Sequence, residues 1–346
     1  MDNFDEYLRQ GEPDKAAKAK VWKTAIGLQQ VDGLKPSEYL LETAKQNIEG
    51  NIAIDEVLKR IDGYYQKQSI KKDESRTEEA DKVSARIAEI LGEQTFTFSP
   101  IEYLSIHRRL FTDIYSFAGK IRDYNITKKE WVLNGETVIY ASAESLKETL
   151  EYDFDVERKF KYKGLSEQEI IEHIANFISN LWQIHIFGEG NTRTTAVFLI
   201  KYLRKLGFKE VNNDLFALHS WYFRNALVRA NYEDLSKGIY STEKYLVQFL
   251  SNLLLKGNYT LKNREMHILF DTVNDTVKTQ IDTVNDTVND TVFSLIEKNK
   301  HITTKELSEK LGVSLSTIKR KINSLKKNGV LERIGSDKAG YWRILN

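Results

Sequence analysis

The chain has 346 residues, enough for two or three domains each with its own core. Its composition, 41% hydrophobic and 29% charged, excludes wholesale disorder; the lack of cysteine excludes disulfide staples, thiolate metal sites and a cysteine nucleophile, and six histidines leave little material for a zinc cluster. The net charge of +1 is unevenly spread: residues 293–346 hold 12 Lys/Arg against 5 Asp/Glu and carry +7, which leaves −6 for the remainder.

Residues 1–66 read as short helices joined by a turn at Asp32-Gly33-Leu34-Lys35-Pro36, because Val21, Ala25, Leu28 and later Leu40, Leu41, Ala44 and Ile48 recur at helical spacing. The opening residues have neither a basic region nor a long apolar run, and no later segment is long and apolar enough to span a bilayer. A cytoplasmic protein with no membrane contact is therefore expected. Residues 67–94 begin as a charged stretch and read as a solvated linker or helix extension. Ser99-Pro100-Ile101-Glu102 combines a capping box with proline at the first helical position and opens a helix expected to run to Ala118-Gly119. His107 lies within it, and a lone helical histidine reads as a satisfied core or surface residue. Between Tyr124 and Ala141 the period changes, and Asn134-Gly135 between residues of strand propensity signals a hairpin.

Ser166-Glu167-Gln168-Glu169 is a capping box that opens a helix striped by Ile170, Ile174, Phe177, Ile178 and Leu181. Gly188 and Gly190 interrupt the stripe, which resumes with Ala196, Val197, Leu199, Ile200 and Leu203. The stretch from His185 to Thr195 is thus a loop entering a helix N-terminus, where glycine backbone and N–H groups can wrap a phosphate. Three chemistries surround it. His185 can take a proton near neutral pH, Glu189 can hold a hard divalent cation, and Arg193 can brace phosphate oxygens.

This stretch resembles the signature of the Fic (filamentation induced by cAMP) family, H-x-F-x-[DE]-G-N-x-R, at His185, Phe187, Glu189, Gly190, Asn191 and Arg193. The resemblance makes residues 95–257 a Fic catalytic domain, mainly α with a small β-hairpin flap. It implies transfer of AMP from ATP to a Ser, Thr or Tyr hydroxyl of a target protein, with Mg2+ as cofactor. By the same resemblance His185 is the general base, Asn191 and Arg193 complete the catalytic set, and Glu189 is the magnesium ligand. Phe187, Gly188, Gly190, Asn191, Thr192 and Arg193 form the nucleotide site. The flap residues Ile139 and Tyr140 contact the target, since an exposed edge can pair with any extended chain. Full members carry another arginine three residues after Arg193 to grip the terminal phosphate, where this chain has Ala196. That departure leaves open a phosphotransferase or another nucleotidyltransferase on the same fold, and a non-enzymatic DNA-binding regulator with a decayed Fic core.

Residues 1–66 look like the small antitoxin of that family, the VbhA-like domain, whose inhibitory helix carries Ser/Thr-x-x-x-Glu-Gly. The corresponding run is Leu28-Gln29-Gln30-Val31-Asp32-Gly33, which makes Asp32 the inhibitory residue. Leucine replaces the hydroxyl, and Ala196 removes the arginine that the acid would clamp. A domain kept mainly for packing is expected, with inhibition weak or differently wired.

Trp221–Leu227 and Tyr245–Leu250 read as aromatic core stripes of two further helices. Residues 258–292 hold a repeat of Asp-Thr-Val-Asn in which Val273, Val277, Ile281, Val284, Val288 and Val292 fall on one helical stripe. Both a helix pairing with a second copy, giving a homodimer, and a flexible spacer fit this pattern. Residues 293–346 look like a winged helix-turn-helix. Thr303-Thr304-Lys305-Glu306 caps a first helix, a second runs from Leu315 to Lys327, and two alternating segments make a wing. In the second helix Ser316, Thr317, Lys319, Arg320 and Asn323 are placed to face DNA, and the +7 charge suits a polyanion.

Overall fold

The computed structural model describes residues 4–67, 76–208, 214–270, 295–296, 299–311, 318, 322, 325–326, 331–334 and 340–344. It divides into two compact units, the first formed by residues 1–127 and 138–261 and the second by residues 128–137 and 262–346. The N-terminal helices and the signature loop therefore share one unit.

In the first unit, α1 (Asp5–Gln10) and α2 (Pro13–Gly27) lead into a 3-10 turn, Leu28–Asp32. Proline opens α2 where its missing N–H costs nothing, and Gly33, at φ 68°, closes the turn in the left-handed region. α3 (Glu38–Ile48) is capped by Ser37, whose Oγ accepts from the Leu40 N–H at 3.1 Å, and α4 (Ile54–Lys67) follows. A Cβ on Gly27 would lie 2.2 Å from the Ala217 Cα, so the end of α2 meets α10 (Asp214–Ala230) backbone to backbone.

The charged stretch read as a solvated linker holds a buried helix, α5 (Thr77–Gly92). Val83, Ala85, Ile87, Ile90 and Leu91 form its apolar side, and its acids are satisfied rather than solvated. Asp81, fully buried, accepts from the Ser37 N–H at 2.8 Å, the Ser37 hydroxyl at 2.5 Å and the Tyr65 hydroxyl at 2.7 Å. These bonds tie α3 and α4 onto α5.

α6 (Pro100–Phe111), capped by Ser99, ends eight residues before the expected Gly119. Asp113 is left-handed at φ 62°, which no α-helix accommodates, and a run of turns carries the chain on. α7 (Leu146–Lys159), α8 (Glu167–Ile184), α9 (Asn191–Lys205) and α11 (Lys244–Leu254) complete the helical unit. The aromatic stripes of α10 and α11 are core: Phe216, Phe223 and Phe249 are fully buried and meet at 5.1–5.2 Å between ring centroids.

The expected flap hairpin is corrected. Its turn forms, with Asn134 at φ 54°, Gly135 at φ 90° and the Glu136 N–H on the Leu133 carbonyl at 3.1 Å. No strand ladder extends from it among the described residues; Trp131–Leu133 is a 3-10 turn instead. The reason is burial of two consecutive side chains, Val132 and Leu133, which a strand would send to opposite faces. The Ile268 N–H also takes the Val132 carbonyl at 2.9 Å. After this turn Val138 and Tyr140 are buried and Ile139 between them is exposed, the alternation of an extended chain.

The second unit contains the small sheet, strands β1 (Leu331–Ile334) and β2 (Tyr341–Ile344), antiparallel with Leu331 opposite Ile344. This is the expected wing. Its core joins Ile296, Ile302, Leu307, Ile318, Ile322, Leu325, Leu331 and Trp342, and the Trp342 indole donates to the Ile302 carbonyl at 2.8 Å. Thr303 and Glu306 cap α12 (Thr304–Leu311) reciprocally, as read. The repeat at 271–292 lies outside the described residues, as do Ser316, Thr317, Lys319, Arg320 and Asn323.

Candidate active site

α8 begins with the Ser166–Glu169 capping box and ends at His185, left-handed at φ 48°; α9 begins after Gly190, at φ 78°. The loop between them is the predicted helix-entering stretch. Its geometry is fixed from within by Asn191, whose Oδ1 accepts from the Phe187 N–H at 3.1 Å and whose Nδ2 donates to the Phe187 carbonyl at 2.8 Å. The glycines are there for close approach: a Cβ on Gly190 would lie 2.4 Å from the Phe111 ring, and one on Gly188 2.6 Å from the Tyr124 hydroxyl.

Phe187 is fully buried and stacks on His107 at 3.7 Å between centroids. Its ring is therefore core, and its N–H and carbonyl are both engaged by Asn191, so Phe187 shapes the loop from within. His107, as read, is a satisfied core residue. Its Nδ1 accepts from the Gly119 N–H at 2.8 Å, which puts the proton on Nε2, facing the Glu189 carbonyl at 3.0 Å. Burial pushes its pKa down to about 4, with the Glu189 carbonyl opposing and the Arg193 charge assisting. Neutral His107 thus fixes the loop at Glu189, whose own side chain is exposed at the loop.

His185 is buried to 4% exposure, with the Tyr140 ring 4.2 Å away between centroids and Trp182 edge-on at 5.2 Å. The extended segment thus brings Tyr140 to the candidate base while Ile139, 82% exposed, faces solvent. Thr192 accepts from the Trp182 indole at 3.0 Å, so its hydroxyl is engaged by α8. Ala196 is fully buried.

Arg193 is 1% exposed and its guanidinium is enclosed by the N-terminal segments. Its Nη2 lies 2.8 Å from Asp32 Oδ2 and 2.7 Å from Glu79 Oε1, Nη1 donates to Gln29 Oε1 at 3.0 Å, and the Phe111 ring lies beneath at 4.8 Å. Burial works against this charge, and Asp32, Tyr115 and Glu79 more than offset it, holding its pKa above the usual arginine range. Arg76 grips the same Glu79 at 2.7 and 2.8 Å. The buried Nε of Arg193 makes no hydrogen bond among the described residues, so the group keeps a donor that the enclosure does not use. Gln29 and Glu79 were not legible as site residues: one lies in the turn before Asp32, the other in a charged run that read as solvated.

Among the described residues no three His, Asp or Glu side chains cluster as a metal site, and no helix is long and apolar enough to cross a membrane. A cation here would rest on Glu189 and on phosphate oxygens, an arrangement that suits Mg2+, which is commonly bound through one or two carboxylates plus substrate phosphates.

Residues 97–203 match the model of the Fic/DOC family, and residues 288–341 match an HTH domain model. The chain thus carries a Fic/DOC domain and a C-terminal HTH domain. Over 140 residues it is 29% identical to protein adenylyltransferase VbhT of Bartonella schoenbuchensis, a stretch that spans 40% of this chain and 28% of that relative. Two solved structures are similar. A Fic family protein from Desulfovibrio desulfuricans aligns over 99% of this chain and 94% of its own at 12% identity and a TM-score of 0.42. The N-terminal FIC domain of Bep8 from Bartonella sp. 1-1C aligns over 60% and 87% at 18% identity and a TM-score of 0.37.

Proposed function

We propose that the chain transfers AMP from Mg-ATP to a Ser, Thr or Tyr hydroxyl of a target protein, and that its N-terminal segment restrains this activity through Arg193. The observation that carries the reading is the juxtaposition of His185, the extended segment at Ile139 and Tyr140, and the N-terminus of α9 on one glycine-bearing loop. A relative named as a protein adenylyltransferase supports the same chemistry.

The target backbone lies along the extended segment, which brings its hydroxyl to His185. The imidazole removes the hydroxyl proton, the oxygen bonds to the α-phosphorus, and the bond from that phosphorus to the bridging oxygen breaks, releasing pyrophosphate. Backbone N–H groups at the start of α9 receive the charge that develops on the phosphate oxygens. Glu189 would hold a magnesium ion together with the phosphates, and the ion would supply positive charge beside the leaving pyrophosphate. Arg193 braces the phosphates once Asp32 and Glu79 release it. With the guanidinium enclosed, the donor is poorly gripped and transfer is slow.

Ala196 favours a second reading. The α9 face that would carry a second arginine holds a buried methyl, so a phosphotransfer or another nucleotide donor on the same base is the alternative. The C-terminal HTH domain is proposed to bind DNA, through Ser316, Thr317, Lys319, Arg320 and Asn323 with the +7 charge on phosphates.

Incubation with α-labelled ATP, magnesium and a cell lysate, beside a His185→Ala control, tests the proposal. Label on protein that the control loses supports AMP transfer. Label from γ-labelled ATP instead establishes phosphotransfer, and no label from any donor rejects both.

A further inference from the structure

Arg122 is 5% exposed, and no ion pair among the described residues includes it. A buried guanidinium without a carboxylate needs carbonyl dipoles, and its planar fork of five N–H donors can collect several at once. Here it collects four. Nε donates to the His185 carbonyl at 2.7 Å, Nη2 to Ala141 at 2.5 Å and Ile184 at 3.4 Å, and Nη1 to Tyr124. Its backbone N–H adds a fifth tie, to the Ile186 carbonyl at 3.0 Å.

The targets of these bonds are not scattered. Ile184, His185 and Ile186 are the last residues of α8 and the start of the loop, where helix carbonyls lack intrahelical partners and a cation suits the helix dipole. His185 is left-handed there, a conformation rare for a non-glycine residue, and its carbonyl is the one that Arg122 Nε holds. Ala141 belongs to the extended segment that carries Ile139 and Tyr140, and Gln183 adds a second tie to that segment, donating to the Ile139 carbonyl at 2.9 Å.

We propose that Arg122 is a positioning residue that fixes the His185 backbone and the Ile139–Ala141 segment to one another, so that a target strand laid on the segment is presented to the imidazole at a set distance. The presentation part rests on the function proposed above; the mechanical tie does not. Arg122 meets His185 at the backbone carbonyl rather than at the imidazole, and acts through carbonyls. A lysine has the charge but a single point donor on a flexible stem, and cannot span the Ala141 and His185 carbonyls together.

The test uses Arg122→Lys in the full chain, with Arg204→Lys as control, since Arg204 is also largely enclosed and donates to a backbone carbonyl, that of Leu91. Hydrogen exchange is followed by segment. Arg122→Lys is expected to speed exchange at least tenfold at both 138–142 and 184–188 while α11 stays unchanged, and the control to move neither segment. Exchange that quickens in one segment alone, in neither, or equally in every helix overturns the tie. In a transfer assay kcat falls at least tenfold and the KM for ATP changes less than twofold; an unchanged kcat overturns the presentation role. Gln183→Ala, at the exposed second tie, guards against a lysine variant that fails to fold: it quickens exchange at 138–142 and leaves 184–188 as in the parent, and loosening of both overturns Arg122 as the link. Exchange needs no substrate, so a chain without transfer activity rejects the function and leaves the tie decided.

Discussion

Asp32 and Arg193 stand 2.8 Å apart, the acid at the end of the turn that follows α2 and the arginine in the first turn of α9, with Glu79 completing the enclosure from α5. The antitoxin resemblance of residues 1–66 pointed Asp32 at position 196, where the alanine offers nothing to clamp. The structure turns it to the arginine that is present. An arginine so enclosed is not available to a phosphate, so under the proposed function the same contact that stabilises the fold opposes the donor.

Asp32→Asn is therefore expected to raise nucleotide affinity and the rate of transfer. About tenfold in affinity, roughly 1.4 kcal/mol, is the scale for a charge pair that a ligand must displace. Stability should drop by about 1 kcal/mol, less than the roughly 3–5 kcal/mol of a broken buried pair, because Glu79 still faces the cation. Calorimetric titration with ATP and a thermal melt check the two effects, and weaker ATP binding in the variant contradicts the enclosure as a restraint.

Glu79 tests whether the two acids act as one unit. Glu79→Gln alone leaves Asp32, and Asp32→Asn alone leaves Glu79, but the double variant leaves a buried guanidinium with neutral partners. Its loss of stability should exceed the sum of the single losses by about 0.5–3 kcal/mol, the range for directly coupled sites. Pyrophosphate or ATP should then raise its melting temperature more than that of the parent, because the ligand supplies the missing anion. Additive losses with no extra ligand effect would show that the acids do not share Arg193.

How legible this was in the sequence differs by residue. The capping boxes at Ser166 and Thr303 and the break at Gly188–Gly190 are local signals, and the elements they announce are observed. Asn134-Gly135 is local too, and its turn forms, but the strands beside it depended on Val132 and Leu133, whose joint burial comes from residues 262–268 far along the chain. Glu79 and Asp81 read as solvated because a charged run usually is; their partners Arg193, Ser37 and Tyr65 belong to other segments, which only the fold assembles. Arg122 carried no local signal, since its partners are backbone carbonyls that every residue has.

His107 predicts a pH dependence of stability. Its native pKa of about 4 lies below the unfolded value near 6.5, so the unfolded chain binds its proton first. Stability from this group is complete above pH 6.5 and is lost as pH falls through 6.5 to 4, by about 3 kcal/mol. Asp153 opposes it: burial raises its carboxyl to about 6, so protonation in the same window favours the native state, on a smaller scale because the group is partly solvated. The difference between the parent and His107→Phe isolates the histidine. Urea melts from pH 4.5 to 7 should show the parent losing more stability on acidification than the variant; parallel curves would mean that His107 is not neutral in the fold.

Gly188 and Gly190 flank Glu189 yet should respond unequally to alanine. At Gly188 the new methyl meets a hydroxyl at the end of Tyr124, a half-exposed side chain that can swing aside, so Gly188→Ala is expected to cost less than about 1 kcal/mol. At Gly190 two penalties coincide. The backbone is left-handed at φ 78°, worth about 1 kcal/mol against a non-glycine residue, and the methyl would lie 2.4 Å from the Phe111 ring, an overpacking of about 1–3 kcal/mol. Phe111 is fully buried and supports the Arg193 guanidinium, so it cannot yield without moving the site. Gly190→Ala should lose about 2–4 kcal/mol in chemical denaturation and weaken ATP binding more than Gly188→Ala does. Equal effects of the two substitutions would show that the loop is not held against Phe111 in solution.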